Sequence, residues 1–123
     1  MATIFKCTIP GRAIVKKNTK RIVGAGRFKK IIYSKNFQFW EASLVAYLKR
    51  IWKLPPIDYP VEAIFNFYFK NHQGEADTSN LIEGPQDCLV KARVLQDDRL
   101  IKRVIAEKHF ESEPMTEIEL RLL

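Results

Sequence analysis

The chain is poor in the residues from which redox and thiolate-metal sites are built. Of its 123 residues, two are cysteine and two histidine. Cys7 and Cys88 lie far apart and follow no Cys-x-x-Cys spacing, which points to a reduced, cytoplasmic pair of thiols. His72 and His109 have no second ligand three or four residues away, which argues against a Cys/His metal centre. They read as surface or strand histidines. No apolar run approaches the ~20 residues that span a bilayer. The start, Met1-Ala2-Thr3-Ile4-Phe5-Lys6, lacks the basic-then-apolar layout of a signal peptide. There is no internal repeat, low-complexity tract or Gly/Ser linker, so residues 1–123 read as a single domain. Negative charge is nearly missing from the first half. Residues 1–53 carry 13 Lys or Arg and one acid, Glu41; residues 54–123 carry 8 and 13, for a net charge of +7 overall.

What is present has clear periodicity. Thr3 to Ile9 reads as a strand that Pro10-Gly11 interrupts. Arg12 to Lys30 reads as a long hairpin or loop, with Ile31-Ile32-Tyr33 as a short returning strand. From Asn36 to Lys53 the residues Phe37, Trp40, Leu44, Tyr47, Leu48 and Ile51 recur every three or four positions, one apolar stripe of a helix. Ser34 or Asn36 can cap it, and Pro55-Pro56 ends it. Trp40 falls on the stripe and Trp52 off it. Val61 to Phe69 alternates, placing Val61, Ala63, Phe65, Phe67 and Phe69 on one face. A second helix is expected from about Asn80 to Val90, with Leu81, Cys88 and Leu89 inward. Gly84-Pro85 weighs against its first turn. Strands over Arg99 to Phe110 and Met115 to Leu123 complete an α+β fold: a small mixed β-sheet with two helices packed on one face.

Two acidic clusters and one basic tract carry the candidate chemistry. Asp77-Thr78-Ser79-Asn80-Leu81-Ile82-Glu83 stands at a strand-to-helix junction, and Gln96-Asp97-Asp98-Arg99 lies between the second helix and the next strand. Adjacent carboxylates repel one another, and Mg²⁺ offsets that with one or two protein carboxylates plus water and phosphate. If both junctions meet at one sheet edge, three or four acids converge. The plainer reading makes Asp and Ser helix caps, Asn80 and Glu83 a capping box, and Asp97-Asp98 a turn. Both readings stand at this point. The tract 12–30 holds Arg12, Lys16, Lys17, Lys20, Arg21, Arg27, Lys29 and Lys30 and no acid. Such a segment suits a phosphate backbone, with Asn18 adding a neutral contact. Phe28, Tyr33 and Phe39 are candidates for base stacking or for anchoring in the core.

The run Asp77-Thr78-Ser79-Asn80-Leu81, followed by Asp87 and then by Asp97-Asp98 after Val94-Leu95-Gln96, resembles the RusA family of Holliday-junction resolvases. That family has an Asp-x-Asp-Asn-Leu segment opening a helix and an Asp-Asp pair before a strand. Chain length, the basic loop after a strand that ends at proline, and element order resemble it too. The resemblance implies a small, Mg²⁺-dependent, homodimeric endonuclease of phage or prophage type. It would nick four-way DNA junctions in recombination and repair. It implies Asp77 and Asp98 as catalytic metal ligands, with Asp97 beside them and Asn80 orienting a ligand or capping the helix. Ser79 stands where the family has its second Asp, and Glu83 where its best-known members have a functionally important Lys. On a helix Ser79 and Glu83 are i, i+4 neighbours. Glu83 is therefore expected to supply the carboxylate that Ser79 lacks.

Two competing functions fit the same charges: a branched-DNA-binding protein without catalysis, and a metal-dependent nuclease for other branched substrates. All of them use the basic tract. Replacing Lys16, Lys17, Lys20 and Arg21 together with Gln is expected to weaken junction binding. The slope of log affinity against log salt should flatten by about 0.9 per lost phosphate contact. Titrations at several salt concentrations check this, and an unchanged slope removes the tract from the DNA interface.

Overall fold

The computed structural model describes the backbone of residues 2–15, 20–23 and 30–123, and side chains within 2–15 and 34–123. Its main sheet has four strands in the order β1-β6-β4-β5. β1 (Thr3–Pro10) alternates so that Phe5 and Cys7 turn inward. It pairs antiparallel with β6 (Met115–Leu122), from Thr3 opposite Arg121 to Pro10 opposite Met115. β6 pairs antiparallel with β4 (Val61–Tyr68), with Phe65 opposite Ile118. β4 pairs in parallel with β5 (Ile101–His109), so the sheet is mixed. β2 (Lys20–Val23) and β3 (Lys30–Tyr33) form a separate antiparallel hairpin within the tract read as a hairpin or loop.

α1 (Lys35–Ile51) starts at Ser34, whose hydroxyl accepts the Phe37 amide at 3.1 Å. Of the two candidate caps the structure therefore uses Ser34. The helix ends two residues before Lys53, because Trp52 turns to extended backbone. Its indole donates to the Pro55 carbonyl at 3.3 Å and packs edge-on against Phe5, ring centres 5.8 Å apart. Trp52 thus fastens the end of α1 to β1.

α2 (Thr78–Lys91) begins before the expected Asn80 and carries Pro85 inside it. Proline removes a helical hydrogen bond there, but burial compensates: Gly84, Pro85, Leu81, Cys88 and Leu89 all lie in the interior. Gly84 is needed for contact with α1. A Cβ at this position would come 2.9 Å from Cζ3 of Trp40, so only glycine lets the indole sit over the α2 backbone. Glu41 pairs with Lys91 at 3.0 Å across the same helix pair.

Both helices cover the Phe-rich face of β4. Leu44, Leu48, Leu81 and Leu89 join Phe65, Phe67, Ile118 and Leu120 in one core. On β6, Thr116, Ile118 and Leu120 turn into this core, while Leu122 is exposed near the strand's end. The opposite sheet face is a polar lattice. Arg103 pairs with the buried Glu62 at 3.1 Å, and Arg121 and Thr3 both donate to Glu119, at 2.9 and 2.6 Å. Asn66 donates to Glu117 at 3.1 Å and shares a 2.8 Å contact with His109. Cys7 and Cys88 are both buried thiols, and burial pushes the Cys7 thiol up to about 12. No helix among the described residues is long and apolar enough to cross a membrane.

Candidate metal and nuclease site

Asp77 is the N-cap residue of α2, reached from β4 through the loop 70–76. Its carbonyl accepts the amides of Asn80 and Leu81 at 3.0 and 3.2 Å. Its side chain makes no capping hydrogen bond. N-cap aspartates ordinarily satisfy a first-turn amide with the carboxylate. Here the backbone places the residue while the exposed carboxylate is left for other work. The capping-box reading fails for the same reason: the helix starts at Thr78, so Asn80 and Glu83 are not its N-cap and N3 residues. Ser79 and Glu83 are both exposed, one turn apart, on the first half of α2, and Asn80 is half-buried.

Asp97 caps a short 3-10 turn, Asp98–Leu100, that leads into β5. Its carboxylate accepts the Arg99 amide at 2.8 Å and the Arg99 guanidinium at 2.9 Å from Nη2. Those bonds, the Arg99 side chain first, hold Asp97 down to about 2. Asp97 is thus committed to Arg99 and shapes the turn, whereas Asp98 is exposed beside it. Asp97 and Asp98 line a cleft of about 290 Å³ together with Asp87, Val90, Lys91 and Gln96. The cleft brings in Asp87, which the sequence marks only by its place in the spaced acid pattern.

The expectation that both acid junctions share one sheet edge does not hold within a chain. β4 and β5 are parallel, with Ile101 opposite Val61, so β5 starts where β4 starts. Asp77 follows the far end of β4, and α2 must return over the sheet before β5 can begin. At ~1.5 Å per residue the helix puts Asp77 about 15 Å from Asp87 and the cleft around it. Among the described residues no three His, Cys, Asp or Glu side chains gather closely enough to hold a metal ion. Each end instead offers carboxylate oxygens, Asp77 with Glu83 at one and Asp98 with Asp87 and Asp97 at the other. This all-oxygen donor set suits Mg²⁺, which takes only one or two carboxylates from a protein.

Most of the expected DNA contacts lie in the basic tract. Lys16, Lys17, Asn18, Arg27 and Lys29 fall outside the described residues, as does Phe28. Lys20, Arg21, Lys30 and Tyr33 are placed on the β2–β3 hairpin by backbone alone. Arg12 is described, and its guanidinium is already engaged: Nη2 donates to the carbonyls of Gln73 and Gly74. Phe39 is 77% exposed, which rules out the core role. It lines an apolar groove of about 760 Å³ beside Trp40, Tyr47 and Pro10.

A family model described as endodeoxyribonuclease RusA matches residues 10–121 of the chain. The match spans both acid junctions, both helices and the basic tract. No curated protein matches the chain.

The Asp97–Arg99 fork has a measurable signature. In the wild type the Asp97 carboxyl is expected to titrate at about 2, and in Arg99→Ala its midpoint should rise toward 3.8. The sign follows from linkage: a carboxylate lowered in the folded state adds stability above its unfolded pKa and loses it as pH falls through the folded one. Carboxyl-carbon NMR titration checks this. Identical midpoints in the two proteins would mean that the fork does not persist in solution.

Proposed function

Because the chain belongs to the RusA family of endodeoxyribonucleases, we propose that it resolves four-way DNA junctions by paired nicks, as a Mg²⁺-dependent homodimer. The observation that carries this reading is the carboxylate of Asp77, set at a helix start that it does not cap. Asp77 and Asp98 would hold the cation through carboxylate oxygens. Glu83, one turn beyond Ser79, adds the negative charge missing at that position, and Asn80 orients the first turn. Asp97, fixed by Arg99, keeps the turn that presents Asp98. When bound, Mg²⁺ supplies a Lewis acid for the scissile phosphate and a water of lowered pKa.

The separation of the two junctions makes the dimer part of the site. Ligand oxygens lie about 2.1 Å from Mg²⁺, so no single ion reaches both ends of one α2. Two copies of α2 packed antiparallel would set Asp77 of one protomer beside Asp98 of the partner subunit. Two-fold symmetry then gives two equal sites, matching a junction that must be cut twice.

Asp77→Asn and Asp98→Asn are each expected to slow junction cleavage by more than about 100-fold, beyond the loss from removing an outer partner of a metal ligand. Junction binding should be retained, and Glu83→Gln should slow cleavage as well. Mixing the two Asp variants tests the shared site. In a heterodimer one site collects both substitutions and the other neither, so single nicks should return. Mixed dimers that stay inactive would place the site within one protomer, and full activity of either variant alone would remove its carboxylate from catalysis.

A further inference from the structure

The loop that delivers Asp77 to its place is held by two cations from opposite edges of the sheet. Arg12, just past the end of β1, sends Nη2 to the carbonyls of Gln73 at 2.7 Å and Gly74 at 3.1 Å. Its guanidinium lies over the ring of Phe69, 5.6 Å from the centroid. Lys108, near the end of β5, donates to the carbonyl of Ala76 at 3.1 Å and to Glu75 at 2.5 Å. β1 and β5 are the two outer strands. Three carbonyls within the four residues before Asp77 therefore end on charged donors, which make stronger bonds than neutral ones. Gly74 makes this possible. Its φ of +68° turns the carbonyl sequence toward Arg12, and a Cβ there would stand 3.1 Å from Arg12 Nη2.

We infer that Arg12 and Lys108 are positioning residues, which fix the loop 73–76 and through it the Asp77 carboxylate, and that Arg12 is not a phosphate contact. The inference rests on the role of Asp77 in the proposed nuclease. Arg12 belongs to the basic tract by sequence, yet both Nη2 hydrogens are spent on the carbonyls and its face lies over Phe69, which leaves a phosphate only Nε and Nη1, in a plane already set by the loop. The same contacts join the start of the tract to the loop bearing the acid, so the DNA-binding segment and the proposed metal ligand share one mechanical anchor. Lysine replaces Arg12 poorly in this task, because its ammonium sits on a shorter side chain and has no planar face to lie over Phe69.

The experiment compares wild type with Arg12→Lys, which keeps the charge and loses the planar guanidinium and its reach. Single-turnover junction cleavage is expected to fall by about 10- to 100-fold, the scale of a small misplacement of a catalytic group. Junction affinity and its salt slope should stay the same. Hydrogen exchange of the amides at 73–77 should accelerate by about tenfold. Lys108→Met is read in the same way, and decides the matter should Arg12→Lys fail to fold. Arg12→Gln separates the rival: a salt slope shallower by about 0.9 with unchanged exchange would make Arg12 a phosphate contact and overturn the inference. Unchanged cleavage together with unchanged exchange would overturn it too. If the wild type itself cuts no junction, the nuclease reading fails, while the exchange measurement still tests the clamp.

Discussion

β4 and β5 run side by side in the same direction, so the chain between them has to travel back along the whole sheet before it can pair again. α2 makes that return journey. Its apolar side, Leu81, Cys88 and Leu89, closes over the Phe-rich face of β4. The crossover also assigns the acids. Whatever precedes α2 stands at one end of the sheet and whatever follows it at the other. Within one chain the two acid clusters are therefore kept at opposite ends of the sheet. The loop 70–76 and the Asp97–Arg99 turn both take their positions from this one connection.

Much of the fold could be read from the chain because the decisive patterns are local. The 3.6-residue stripe from Phe37 to Ile51 and the strict alternation from Val61 to Phe69 each depend only on neighbours in sequence. The difficult cases all involve partners distant in sequence. Pro85 argues against a helix until Trp40 is seen over Gly84, a contact between two different helices. Trp52 has no periodic role and becomes intelligible only once Phe5 is beside it. Arg12 looks like the first of eight similar charges, and its real partners are more than 60 residues away. The acids were legible as residue types at suggestive spacings. Their mutual distance was not, since it depends on whether two strands pair in parallel.

The uneven charge of the two halves also changes meaning. The acids of the second half are largely drawn into partnerships: Glu62 with Arg103, Glu119 with Arg121 and Asp97 with Arg99. Glu41, the lone acid of the first half, is tied to Lys91 on α2. The tract 12–30 itself contains no acid. Asp77 and Asp98 are exposed at either end of α2, and neither is in a salt bridge among the described residues.

β5 is an outer strand with one row of backbone amides and carbonyls unpaired, and it exposes Val104 and Ile105. Such an edge is a template on which another strand could add. Lys102 and Arg103 stand at its beginning, and the Arg103 charge is held there by the buried Glu62. A second β5 approaching in register would have to bring like charges together, which edge strands exploit to stop growth into fibrils. The ion pair on the open sheet face thus also fixes a positive charge at the sheet's outer edge.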